Sequence, residues 1–185
     1  MNNNQLNNSL DIILHKYSQS FASKIFTQES LEADDLMLVF GLNQEIKARN
    51  KQYWGRELGM CWERIVKEIC RQTCDDFHEA IRDGNDELCD FVVGLDAIDT
   101  KYRIGSGDSG TLKKFRQYAA RLNAIEYNHV LLILRNDNLP QAINACSMGG
   151  WQVISGNNTF NYINQTTGFD LKLWLQSRIN LYSIG

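Results

Sequence analysis

Proline, long apolar runs and paired cysteines are scarce in this chain, and each scarcity argues against a class of protein. Proline occurs once, at Pro140, and no Pro/Ser-rich linker divides the 185 residues, so we expect one domain over 1–185. The longest apolar runs are near five residues, whereas a membrane helix needs about 20, and no signal-peptide pattern is present; we expect no membrane partner. The five cysteines lack the spacing of a secreted scaffold, which favours a reducing cytoplasm.

The overall charge does not by itself indicate a nucleic-acid partner. The formal net charge is −3, and 43% of the residues are apolar, which is enough for a core. The basic residues are concentrated locally, and a local patch is what contact with phosphate requires.

A β-hairpin is predicted near the middle of the chain. Phe91–Val93 and residues 97–102 favour strand, and Gly94-Leu95 between them forms a two-residue loop with glycine at its first position. This loop fixes the register, so that Asp90 is expected to face Asp99. Carboxylates in directly opposite positions have Cβ atoms roughly 5 Å apart.

Two facing carboxylates and a nearby lysine predict a metal site. Like charges repel across a sheet and raise one pKa, and a divalent cation removes the conflict, since Mg²⁺ prefers carboxylate oxygen. Lys101 lies two residues beyond Asp99 and therefore on the same face, where it could orient or help deprotonate a metal-bound water. The alternative is a solvated strand face on which Lys101 only neutralises Asp99.

The remaining pattern predicts an α/β fold with a mixed central sheet flanked by helices and with extra N-terminal helices. Helices are expected at about 9–26, 34–51, 54–80, 111–125, 139–148, 159–164 and 169–182, and further strands at about 129–134 and 151–154.

A glycine-rich loop follows the hairpin. Residues 105–110 read G-x-G-x-x-G between a strand and a helix, which is the setting of a dinucleotide-binding fingerprint. Against that reading, the preceding strand carries Asp99, Lys101 and Arg103, whereas the first strand of a dinucleotide fold is buried and apolar. A flexible turn and a loop that contacts a DNA phosphate both remain open, because a helix N-terminus favours an anion.

Basic side chains follow this loop on the next helix. Lys113, Lys114 and Arg116 lie off the apolar stripe of that helix. They form either a solvated face or a surface for the DNA backbone. The full set of expected DNA-binding residues is Arg103, Ser106, Gly107, Ser109, Lys113, Lys114 and Arg116.

The helix before the hairpin offers a third carboxylate. Glu57 or Glu63 could complete a metal shell, although glutamates on helices are by default surface residues.

The residues quoted so far resemble the PD-(D/E)xK nuclease superfamily. Asp90 and Asp99-x-Lys101 lie across a hairpin that is followed by a helix and an apolar strand. The string from Asp99 to Gly110 resembles type II restriction endonucleases, in particular ApaLI-like enzymes. The likeness continues through 112–118, 130–135 and 149–151 and covers about residues 88–175.

This resemblance implies a restriction-endonuclease-like core of αβββαβ type over 53–185, with 1–52 as a helical N-terminal extension. It implies a Mg²⁺-dependent, sequence-specific endonuclease that cleaves double-stranded DNA, leaves 5′-phosphates and acts as a homodimer. Asp90 and Asp99 would hold the metal, and Lys101 would position the attacking water. Two departures from the pattern are Cys89 in place of proline and Asp99 in place of glutamate.

Three other functions fit parts of the sequence. A structure-selective repair or recombination nuclease would share the fold and the site. A non-catalytic nucleic-acid binder would bind DNA without cleaving it. A nucleotide-cofactor protein would use the glycine-rich loop.

Overall fold

The computed structural model describes residues 29–105 and 109–184, and the side chains of 109–112 lie outside that description. The helix expected at 9–26 also lies outside it. The helices are α1 (Asp35–Val39), α2 (Gln44–Arg49), α3 (Lys51–Thr73), α4 (Ser109–Ala124), α5 (Pro140–Met148), α6 (Asn157–Thr167) and α7 (Leu171–Gln176). The strands are β1 (Phe77–Glu79), β2 (Arg82–Asp83), β3 (Asp86–Glu87), β4 (Phe91–Val93), β5 (Asp96–Lys101), β6 (Asn128–Ile133) and β7 (Gln152–Ser155).

A five-stranded mixed sheet with the order β1-β4-β5-β6-β7 forms the centre of the fold. β1, β4 and β5 pair antiparallel, whereas β5, β6 and β7 pair parallel. β2 and β3 form a separate small hairpin. The predicted α/β class, with a mixed sheet flanked by helices, is therefore confirmed.

The hairpin of β4 and β5 has the predicted register over three pairs. Val93 pairs with Asp96, and Phe91 pairs with Ile98. Gly94 has φ +56, a value that glycine adopts without the steric penalty of a side chain. The ladder ends at Phe91, so the fourth predicted pair, Asp90 with Asp99, is not part of it.

Helices cover both faces of the sheet, and side chains that alternate along β5 contribute to the core on each face. Ile98 and Tyr102 belong to a core that includes buried residues of α3, α6 and α7. Ala97 belongs to a second core with residues of α4 and α5. Asp99 and Lys101 follow Ala97 at intervals of two, and they therefore emerge on the α4 face.

Three predicted helices are shorter than expected, and one of them, predicted at 169–182, spans only Leu171–Gln176. The segment predicted as one helix at 34–51 is divided into α1 and α2, with Gly41 at φ +63 between them. Asn43 then caps α2 by accepting a bond from the Ile46 N–H. The helix predicted at 54–80 spans 51–73, and the residues after it form the edge strand β1.

A buried polar network joins the N-terminal part of the described chain to the ends of β5 and β6. Arg135 donates to Asp34 at 2.9 Å and to Asp137 at 2.7 Å. Tyr102 donates its hydroxyl to Asp34, and Lys47 contacts Tyr102 at 3.1 Å. α1 and α2 are thus packed into the domain.

No helix within residues 29–105 and 109–184 combines the length and the apolar character needed to cross a membrane.

Candidate active site

A cleft of about 510 Å³ lies where the hairpin of β4 and β5 meets α4. Asp90 precedes β4, and Asp99 and Lys101 project from β5. The helix contributes Lys114 and Tyr118. The complete lining is Arg82, Asn85, Asp86, Glu87, Asp90, Asp99, Lys101, Lys114, Phe115 and Tyr118. The three residues predicted as catalytic are therefore brought together in one cleft.

Asp90 is held by the strand opposite. Its Oδ2 accepts the Thr100 N–H at 2.6 Å and the Thr100 hydroxyl at 2.8 Å. Its own N–H donates to the Ile98 carbonyl at 2.9 Å, which displaces it from the predicted pairing with Asp99. Lys67 donates to the Asp90 carbonyl at 3.3 Å. The two bonds to Oδ2 fix the orientation of the carboxylate, while Oδ1 accepts no hydrogen bond from the described residues.

Asp99 and Lys101 form an ion pair on one face of β5, as the strand period predicts. The Asp99 side chain is 14% exposed, and burial raises its pKa to about 6. Lys101 opposes this shift, whereas Asp90 and Glu63 add to it. Asp99 is thus a carboxylate whose charge is poorly solvated, and added positive charge would stabilise its ionised form.

Lys101 is held in its charged form. Burial lowers the pKa of the ammonium, but Asp99, Asp90 and Glu63 outweigh burial and raise it above the ordinary value. A lysine with a raised pKa is a poor proton acceptor near neutral pH. Lys101 is therefore suited to donating hydrogen bonds and stabilising negative charge, and not to acting as a general base.

Glu63 is the helix carboxylate whose pKa responds to the charges of this site. Burial raises its pKa, and Asp90 raises it further, while Lys101 lowers it. Glu57, the other candidate, forms an ion pair with Arg56 at 2.9 Å, and neither glutamate is among the residues that line the cleft.

The predicted DNA-binding residues before α4 divide into two groups. Arg103 is 14% exposed and donates to the Asp137 carbonyl at 2.9 Å and to its carboxylate at 3.2 Å, so the structure shows it in an internal contact. Ser106 and Gly107 lie outside the described residues, as does the side chain of Ser109 at the start of α4.

The predicted DNA-binding residues within α4 are exposed. Lys113, Lys114 and Arg116 all present their side chains to solvent. Of these, Lys114 lines the cleft, where its ammonium lies 5.0 Å from the centre of the Tyr118 ring.

Arg135 and Asn138 follow β6, and burial makes both unsuitable for reading DNA bases. They are 5% and 7% exposed. Asn138 donates to the Arg135 carbonyl and accepts the Ile104 N–H. Both side chains are therefore used within the fold.

Three residues of the site were not predicted from the sequence. Thr100 orients Asp90, Lys67 binds the Asp90 carbonyl, and Tyr118 lines the cleft. The strand period places Thr100 on the face opposite Asp99. Its hydrogen bonds to Asp90 could not be predicted from that period, because they form where the pairing of β4 with β5 ends. Tyr118 had a local signal, since it lies one helical turn after Lys114.

The donor set of the cleft fits Mg²⁺. The described residues contain no group of three or more His, Cys, Asp or Glu positioned to hold a metal ion. Mg²⁺ is commonly held by one or two carboxylates together with water and substrate phosphate. Asp90 and Asp99 supply two such carboxylates, and the poorly solvated charge of Asp99 favours a cation.

Comparisons of the chain with family models, with curated proteins and with solved structures found no match.

Proposed function

We propose that the chain is a Mg²⁺-dependent endonuclease that cleaves phosphodiester bonds of double-stranded DNA at specific sequences and leaves 5′-phosphates. The observation that carries the proposal is the meeting of Asp90, Asp99 and Lys101 in one cleft, next to the exposed cation Lys114. The sequence resemblance to type II restriction endonucleases gives these residues their roles. The order α3, β1, β4, β5, α4, β6 is compatible with an αβββαβ core.

Asp90 and Asp99 would hold the metal, with Glu63 nearby as a third carboxylate. When bound, Mg²⁺ would supply a water of lowered pKa and would polarise the phosphate. Thr100 keeps the Asp90 carboxylate in one orientation through its two hydrogen bonds. A fixed carboxylate loses less entropy when it binds a cation, which is the advantage of a preorganised site.

Lys101 acts on the attacking oxygen. Its side chain is 37% exposed, and its ammonium remains charged because its acidic neighbours raise its pKa. In the proposed reaction it positions the attacking water and stabilises the charge that develops on phosphorus-bound oxygen. The new bond joins the water oxygen to phosphorus and the water releases a proton to solvent, while the bond to the 3′ oxygen breaks and that oxygen takes a proton from solvent.

The DNA backbone would pass along the exposed side of α4. Lys113, Lys114 and Arg116 supply three cations there, and each contact with phosphate releases counterions. We propose that the glycine-rich segment 105–110, which precedes and begins α4, also contacts the DNA backbone.

Cleavage of both strands requires two such clefts, because this chain supplies one. A dimer with twofold symmetry that binds a palindromic site is the simplest arrangement. We propose that the protein acts as a homodimer in the cytoplasm. Light scattering on the protein bound to target DNA would test the dimer, and a mass of one chain per duplex would refute it.

The primary experiment is cleavage of unmethylated plasmid and phage DNA with Mg²⁺. Discrete fragments are expected from the wild type, and their loss is expected in Asp99→Asn, in Lys101→Met and in EDTA. Asp83→Asn is the matched control, because Asp83 is an exposed carboxylate of the small hairpin outside the cleft lining.

A readout independent of cleavage keeps the metal question separate. Mn²⁺ binding, followed by the loss of its free electron paramagnetic resonance signal, is expected in the wild type and in Lys101→Met. It is expected to weaken by an order of magnitude or more in Asp99→Asn. Equal Mn²⁺ affinity in the wild type and Asp99→Asn would remove the metal role of Asp99.

A further inference from the structure

The hydroxyl of Tyr118 is an unsatisfied polar group beside the candidate active site. Tyr118 is 6% exposed, and its hydroxyl is buried without a hydrogen-bond partner among the described residues. Buried polar groups are nearly always paired, so each exception requires an explanation.

A comparison within the protein shows why Tyr118 differs from other buried polar groups. The indole Nε1 of Trp62 is also unpaired, but Trp62 is fully buried in the core formed with α3. Tyr118 instead lines the cleft that contains Asp90 and Asp99. Tyr118 therefore borders a space that a ligand can enter, whereas Trp62 lies within the core.

Lys114 is the neighbour that defines the chemistry next to this hydroxyl. It lies one turn earlier on α4, it is exposed, and its ammonium lies over the Tyr118 ring. The Tyr118 hydroxyl raises the pKa of Lys114, yet the two groups do not form a hydrogen bond of ordinary length and angle. An ammonium has donors only, whereas a phenol both accepts and donates, so the O–H of Tyr118 still has a donor to offer when its oxygen faces Lys114.

The cleft is therefore divided by charge. Asp90 and Asp99 present acceptors that favour a cation, while Lys114 and Tyr118 present donors that favour an anion rich in acceptors. A DNA phosphate has this character, because its non-bridging oxygens are charged acceptors without donors.

We propose that Tyr118 binds a phosphate of the DNA backbone, its hydroxyl donating to a non-bridging oxygen next to the Lys114 ammonium. Displacement of the exposed Lys114 side chain opens the hydroxyl to the phosphate. Tyr118 is a positioning residue that sets the backbone against Asp90, Asp99 and Lys101. The inference rests on the proposed function for the identity of the anion.

The test is the affinity of Tyr118→Phe for a fluorescein-labelled 30-base-pair duplex, measured by anisotropy in EDTA so that no cleavage occurs. We expect the Kd to rise about tenfold, since a hydrogen bond to a charged acceptor is lost. The melting temperature should stay equal or rise, because the hydroxyl has no partner in the free protein.

Tyr162→Phe is the matched control. The Tyr162 hydroxyl donates to Asp96 at 2.7 Å, at the opposite end of β5 from Lys101. Its removal should lower the melting temperature and leave the Kd for the duplex unchanged. The two substitutions remove the same chemical group. Tyr118→Phe should weaken DNA binding without loss of stability, and Tyr162→Phe should lower stability without loss of DNA binding.

Lys114→Gln supplies a second, independent arm. It should weaken binding and reduce the salt dependence by about one counterion, whereas Tyr118→Phe should leave that slope unchanged because a phenol is neutral. Since both residues hold one phosphate, the effects of Lys114→Gln and Tyr118→Phe should not add in the double variant.

The outcomes distinguish this inference from the proposed function. Binding that depends on Tyr118 without any cleavage would refute the nuclease proposal and support this inference. Cleavage by the wild type, together with unchanged Kd and rate in Tyr118→Phe, would overturn the inference alone. Absence of DNA binding by the wild type, or full additivity in the double variant, would overturn it as well.

Discussion

Replacing Asp99 with asparagine should make the free protein more stable at neutral pH. Burial raises the pKa of Asp99 from 3.8 to about 6, so the folded chain holds this proton more tightly than the unfolded chain. Ionisation of Asp99 therefore opposes folding. The stability that the protonated carboxyl contributes is present below pH 3.8 and is lost as the pH rises through about 6.

The magnitude follows from the size of this difference. At 1.36 kcal/mol for each pH unit, the interval from 3.8 to about 6 corresponds to about 3 kcal/mol. Asparagine resembles the protonated acid and does not ionise. The free energy of unfolding of Asp99→Asn should therefore rise relative to the wild type by about 2 kcal/mol between about pH 4 and pH 8, with about half of the full difference present at pH 5.

Urea unfolding in EDTA at several pH values measures this difference directly. In thermal unfolding, the difference in melting temperature between Asp99→Asn and the wild type should be some 4–8 °C larger at about pH 8 than at about pH 4. Asp83→Asn controls for the loss of one negative charge at an exposed position. Parallel stability curves for the wild type and Asp99→Asn across this range would refute the account of Asp99 as a poorly solvated carboxylate.

Further predictions concern the metal, the core, the network and one glycine. Mg²⁺ should stabilise the folded wild type by a free energy of RT ln(1 + [Mg²⁺]/Kd) and so raise its melting temperature, with little effect on Asp99→Asn. Calorimetry measures both melting temperatures, and equal shifts would contradict a metal-binding role for Asp99. Leu132→Ala should lower the free energy of unfolding by about 2–5 kcal/mol, because Leu132 is fully buried. Arg135→Met should cost about 3–5 kcal/mol, since Asp34 and Asp137 lose a buried partner. Gly156→Ala should cost about 1–3 kcal/mol, because φ is +59 at this residue. Urea unfolding measures these three, and losses below about 0.5 kcal/mol would contradict the stated burial or strain.

Local chemistry made the hairpin predictable. Gly94-Leu95 selects a two-residue turn, and the turn determines which residues of β4 and β5 pair. The same reasoning placed Lys101 beside Asp99, because the period of a strand is fixed by its geometry. These relations involve residues within about ten positions of one another.

The predicted bounds of the helices before the hairpin were wrong because tertiary contacts determine where those helices end. Cys70, Cys74 and His78 continue a helical spacing, so the pattern favoured helix to about residue 80. His78 pairs instead with Val92 in the sheet, and no local signal announces that strand. The division between α1 and α2 depended on Gly41, where a positive φ ends the helical path.

The site was predictable only in part for the same reason. Asp99 and Lys101 are close in sequence, whereas the packing of α3 on β5 brings Glu63 near enough to influence their pKa values. The contact of Arg103 with Asp137 joins residues that are 34 positions apart. Arg103 follows β5, and periodicity could not show that Asp137, in the loop after β6, would be its partner.

The buried network around Arg135 has a consequence for how the chain acquires its fold during synthesis. Arg135 is 101 positions from Asp34, and Tyr102 is 55 positions from Lys47. Until residue 135 has left the ribosome, the Asp34 carboxylate lacks this cation, and burying it would incur a desolvation penalty. α1 and α2 are therefore expected to dock late, after the parallel strands have formed, because contacts between residues distant in sequence form slowly.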